Sequence, residues 1–87
     1  EYEDWERLAL ALKKLSRTSQ RFSGARIVHS DDFHDVMGQA QIDTVKFYEI
    51  VYRFEREKSI DIVWKDTKRI LLVILRDENK LLGPLQD

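Results

Sequence analysis

After Ser59 the apolar residues of this chain change period, and that switch limits its possible folds more than any other feature. Up to about residue 58 they recur at helical spacing. Beyond it Ile60, Ile62 and Trp64 alternate with Asp61, Val63 and Lys65, the period of a strand. A second apolar run occupies residues 69–76, and Asp66-Thr67 is expected to sit in a tight hairpin turn between the two. Before the switch, residues 2 to about 19 read as an amphipathic helix. Trp5, Leu8, Ala9, Leu12 and Leu15 line one face, with acids in the first turns and Lys13, Lys14 and Arg17 in the last. Leu10 points off that face. Ser23-Gly24 closes the connection to a short strand at 25–29. Ser30 then reads as the cap of a short helix through Met37, with Gly38 in the left-handed position beyond it. Asp43 caps a longer helix from 44 to about 58, so two helices meet across a short turn.

Composition narrows the classes. Eighty-seven residues make one domain, 1–87, and a chain starting at Glu1 without Met reads as a piece of a longer protein. Hydrophobic residues at 43% and charged ones at 36% suit a globular domain rather than a disordered tail. With no Cys there is no disulfide framework, thiolate zinc site or cysteine nucleophile. The longest apolar run, Ile70 to Leu75, is too short to span a bilayer, and no secretory signal is present. An intracellular setting is expected, cytoplasmic or nuclear.

The order helix, short strand, helix, helix, hairpin is that of the winged helix-turn-helix, an α+β fold of three helices and a small antiparallel hairpin sheet. The stretch from Asp43 to Val63, DTVKFYEIVYRFEREKSIDIV, resembles the third helix and first wing strand of winged-helix domains. Within that family, Val45-Lys46-Phe47-Tyr48-Glu49-Ile50-Val51 running into Ile60-Asp61-Ile62 is similar to the C-terminal winged-helix domain of cohesin-type kleisins, with a shorter hairpin at Lys65-Asp66-Thr67-Lys68. That resemblance implies a non-enzymatic domain that docks on the ATPase head of a chromosome-structuring partner.

Fifteen Lys and Arg against sixteen Asp and Glu give a net charge of −1, but the balance is a cancellation. Residues 1–6 carry −4, 7–26 carry +6, 27–50 carry −4, 51–58 carry +1, and the rest are neutral. A DNA-reading third helix needs cations facing phosphates, whereas Asp31, Asp32, Asp35, Asp43 and Glu49 surround this one. A protein partner, or a second copy of the chain, is therefore expected ahead of nucleic acid. The nucleic-acid alternative would use Lys13, Lys14, Arg17 and Arg21 with a basic hairpin tip of Lys65, Lys68 and Arg69.

The apolar surplus indicates where a partner would bind. Phe47, Ile50, Val51, Phe54, Tyr48, Tyr52 and Val45 spread over about 200° of the third helix, more than one buried stripe requires. In the last strand Ile70, Leu72 and Ile74 form one face and Leu71, Val73 and Leu75 the other. A small sheet with helices on one side leaves the second face bare, so Val63, Leu71, Val73 and Leu75, with Leu10, are the expected partner-binding residues. The other possible cover is the first helix or the tail residues Leu81, Leu82 and Leu85.

Catalytic signals are absent from the pattern. Asp31, Asp32, His34 and Asp35 have metal-ligand types, but no second ligand group accompanies them and no metal is expected. Three isolated glycines make no phosphate loop, and no Ser/His/Asp constellation is recognisable. Trp5 and Trp64 fall on core-facing phases and read as packing residues. No enzyme activity, cofactor, small-molecule substrate or membrane partner is implied.

Overall fold

The computed structural model describes residues 2–76. The elements are α1 (Asp4–Leu15), β1 (Arg17–Ser19), β2 (Ala25–His29), α2 (Phe33–Ala40), α3 (Thr44–Arg56), β3 (Ile60–Trp64) and β4 (Ile70–Leu75). They form an α+β fold, in which three helices cover a four-stranded antiparallel sheet of order β1-β2-β4-β3. The β1 strand is an addition to the expected architecture.

That strand exists because α1 stops at Leu15 rather than near residue 19. The Ser16 amide and hydroxyl both donate to the Lys13 carbonyl, at 3.3 and 2.7 Å, and the hydroxyl accepts Arg26 Nε at 2.8 Å. Ser and Thr compete for backbone bonds in this way, and the run Ser16-Arg17-Thr18-Ser19 carries little helix preference. Arg17, Thr18 and Ser19 pair instead with Ile27, Arg26 and Ala25. A single 3₁₀ turn at Gln20–Phe22 joins the strands, and Ser23 and Gly24 reverse the chain at φ 58° and 78°.

The second helix also differs from its sequence reading at both ends. Ser30–Asp32 forms a 3₁₀ turn capped by His29, whose Nδ1 accepts the Asp31 amide at 3.2 Å, and α2 follows with Asp32 at its cap position. Gly38 lies inside α2, and the left-handed position falls on Gln41 at φ 58°. The Gln41 amide donates to the Gly38 carbonyl and the Ile42 amide to Met37, both at 3.2 Å, the bond pair that closes a helix on a left-handed residue. The same closure ends α3, where Lys58 (φ 63°) and Ser59 donate to Glu55 and Phe54 at 3.0 Å. Asp43 caps α3 as its position implies, Oδ1 accepting the Lys46 amide at 2.8 Å.

In β4 the apolar alternation misleads. Its register with β3 runs from Ile60↔Leu75 to Val63↔Leu72, then jumps to Trp64↔Ile70. Leu71 is thus an extra residue, a β-bulge, and one inserted residue exchanges the faces of everything beyond it. Ile70, Val73 and Leu75 all enter the core with Val28 and Ile60, against Leu8, Leu12, Phe47 and Val51 of the helices. The expected bare face of Leu71, Val73 and Leu75 is corrected accordingly. Val73 is fully buried, Leu75 is buried, and Leu71 is half-buried at the bulge.

The residues directed away from the helices are Leu72, beside His29 and half-buried Val63, and Ile74, beside Ile27 and Asp61. That face is not bare either, because Leu72 is 4% exposed and Ile74 3%. The first helix does not cover it, since the buried face of α1 belongs to the core on the other side. The tail residues Leu81, Leu82 and Leu85 lie outside the described residues. Leu10 is half-buried where α1 meets α2, in a shallow depression it shares with Arg7, Lys14 and Gln39. Arg7 joins these two helices, its Nε donating to the Ala40 carbonyl at 2.8 Å.

Candidate functional site

The apolar surplus of α3 divides into two stripes. Phe47, Ile50, Val51 and Phe54 are buried. Val45, Tyr48 and Tyr52, spaced i, i+3 and i+7, form a second stripe on the outside. Val45 is 78% exposed and Tyr52 41%. A row of rings connects this outer stripe to the interior. Phe33 lies 5.0 Å from Phe47, which meets Tyr48 edge-on at 5.3 Å. Tyr48 stacks with Tyr52 at 6.2 Å and 29°, and Tyr52 with Trp64 at 6.3 Å and 22°. Offset stacks of this kind hold rings in place beyond what burial alone contributes.

Trp64 corrects its sequence reading. It shares the helix side of the sheet with Ile60 and Ile62, as its phase implies. However, β3 is an edge strand and Trp64 is its last residue, so the ring stacks on Tyr52 beyond the core and stays 43% exposed. Trp5 packs against the core, and the Arg53 guanidinium lies 5.5 Å from its ring centroid.

The hairpin forms the second wall of the site. Its turn spans residues 65–69, longer than the tight Asp66-Thr67 turn expected, and the Lys65 amide donates to the Arg69 carbonyl at 2.8 Å. One carboxylate braces it. Asp66 Oδ1 accepts the Lys68 and Arg69 amides at 2.9 and 3.0 Å, while Oδ2 takes Arg69 Nε and Nη2 at 2.8 and 2.7 Å. The Lys68 amide, then the Arg69 guanidinium, hold the Asp66 carboxyl below the usual carboxylate range. Braced in this way, the tip sets Lys68 beside Val45, Tyr48, Glu49 and Tyr52, and together they line an open groove of about 580 Å³. Its lining is apolar and aromatic at the centre, with one acid from α3 and one base from the hairpin.

The cations proposed for nucleic acid do not converge. Lys13 and Lys14 end α1, Arg17 lies on β1 and Arg21 in the turn that follows. From the strand registers, that turn and the 65–69 turn sit at opposite ends of the sheet and on opposite edges. Several cations are also paired: Arg17 with Asp32 at 3.7 Å, Lys46 with Glu49 at 3.3 Å, and Arg69 with Asp66. Among the described residues no three His, Asp or Glu side chains gather where a metal ion could be held. Asp31 contacts His29 at 3.4 Å. No helix of the described residues is long and apolar enough to cross a membrane.

Sequence spacing contained the outer stripe, since the arc of α3 was wider than a core requires, although the expected partner-binding residues were Leu10, Val63, Leu71, Val73 and Leu75. The second signal, Trp64 beyond the core, depends on which strand is the edge and could not be read from its phase. Comparison with family models, with curated proteins and with solved structures found no match.

Proposed function

We propose that this chain is a non-catalytic winged-helix module that works inside the cell and docks onto protein through the outer face of α3 and the β3–β4 hairpin. The element order supports the winged-helix reading, with β4 lying between β2 and β3 behind a helix-turn-helix. In that reading β1 extends the sheet at the edge away from the hairpin. The resemblance to kleisin winged-helix domains falls on Val45–Val51, the same helix that carries the outer stripe.

One observation carries the docking function. Of the four large apolar side chains exposed among the described residues, Val45, Tyr52 and Trp64 belong to one surface. Contiguous apolar surface of this kind, with polar groups around it, marks interaction sites. Tyr and Trp suit such a surface because they present large rigid faces at low entropic cost. Nucleic acid fits less well, because Glu49 lines the groove and Asp43 begins the helix.

A photo-reactive phenylalanine analogue at position 52 tests the docking function in extract of the source cells. A covalent adduct to protein that disappears on Val45→Asp, with the circular dichroism unchanged, is the expected result. Adducts to nucleic acid alone, or none, would overturn it.

A further inference from the structure

We propose that the groove's occupant is a second copy of this chain, with the two α3 helices packed antiparallel about a two-fold axis passing beside Tyr48. This inference rests on the docking function above and names its partner. A two-fold interface must be complementary to itself, each patch meeting its own image. The outer stripe of α3 has that symmetry. Val45 and Tyr52 lie three and four residues on either side of Tyr48, so an antiparallel pairing sets Val45 of one copy against Tyr52 of the other.

The charges have the same property. Glu49, paired with Lys46 at 3.3 Å, comes from α3 and Lys68 from the hairpin, so an acid and a base line opposite sides of one groove. A two-fold rotation brings each to the other's counterpart. Antiparallel packing opposes the helix dipoles favourably. A strongly acidic partner would meet Glu49 and Asp43, and a strongly basic one would meet Lys68. A near-neutral surface carrying both signs avoids either conflict. The chain's net charge of −1 also leaves little long-range repulsion between copies.

Sedimentation velocity on the whole chain, from micromolar to several hundred micromolar, tests the proposal directly. The wild type is expected to dimerise within that range. Val45→Asp and Tyr52→Asp should sediment as monomers with unchanged helicity. Glu49→Lys and Lys68→Glu should each weaken the dimer about tenfold, by setting like charges against each other. The double variant, with both signs exchanged, should recover most of that loss. If Tyr52→Asp fails to fold, the exposed Glu49 and Lys68 exchanges still decide the outcome.

A wild type that stays monomeric throughout overturns the second-copy occupant. In that event, an adduct from position 52 to a different protein leaves the docking function standing, and its absence removes both. A dimer indifferent to Val45→Asp and to both charge exchanges forms elsewhere and likewise overturns the proposal.

Discussion

Asp66 makes four contacts with one carboxylate, and the hairpin tip depends on all of them in the charged form. Two are the backbone amides of Lys68 and Arg69, and two are guanidinium nitrogens of Arg69. Each stabilises the anion relative to the acid, which is why the carboxyl titrates low. Because the folded value lies below the unfolded one, the brace is complete above the ordinary carboxylate range. It is lost only as pH falls through the lowered folded value. A carboxyl-detected NMR titration should therefore give Asp66 a midpoint below the usual aspartate range. The Lys68 and Arg69 amides should shift with the same midpoint. An Asp66 midpoint at or above the usual aspartate range would show that the turn is not held by this charge. Asp66→Asn should abolish the shared transition and loosen the placement of Lys68 on the groove.

Among the elements, β4 shows most clearly what a strand's composition can and cannot specify. Six apolar residues in a row pointed to two apolar faces, and both are covered where one was expected to be bare. Which residue faces which way depended on Leu71, and a bulge leaves no mark in a run where every residue is apolar. A polar residue in the run would have revealed the change of phase. By contrast the Asp43 cap, the buried stripe of α3 and the alternation of β3 were legible, because each couples a distinct residue type to one geometry. The end of α1 and the left-handed Gln41 were less so. Ser16 terminates a helix only when its hydroxyl can donate to the Lys13 carbonyl and accept Arg26 Nε, and Gln41 takes a position that Gly38 was better suited to fill.

The bulge gives a direct test. Deleting Leu71 brings Ile70 next to Leu72 in regular register and leaves every other side chain on its present face. Stability by urea denaturation should then change by about 1 kcal/mol or less. Val73→Asp places an unpaired carboxylate in the core and should cost more than about 4 kcal/mol, enough to unfold a small domain. If the deletion unfolds the chain while Val73→Asp is tolerated, the faces of β4 are the reverse of those described.

At the scale of the whole molecule, charge that looks segregated along the chain becomes dispersed in space. The +6 block of residues 7–26 is spread over α1, β1 and their connections. Arg7 turns inward to the Ala40 carbonyl and Asp4, Arg17 pairs with Asp32, and Arg26 reaches Ser16. The basic residues of the hairpin lie at the end and edge of the sheet opposite the Arg21 turn, with Arg69 neutralised by Asp66. Phosphate affinity grows with the number of cations that reach one backbone together, and here few can. A labelled duplex and a labelled single strand, each about twenty nucleotides long, should therefore bind no tighter than about 10⁻⁴ M at physiological salt. Anisotropy should fall by little between low and moderate salt, because few counterions are released. Saturable micromolar binding lost on both Lys68→Glu and Arg21→Glu would require one strand to bridge the two ends of the sheet. That result would replace protein docking with nucleic-acid binding, since the same hairpin cannot present Lys68 to a phosphate and to Glu49 of another copy.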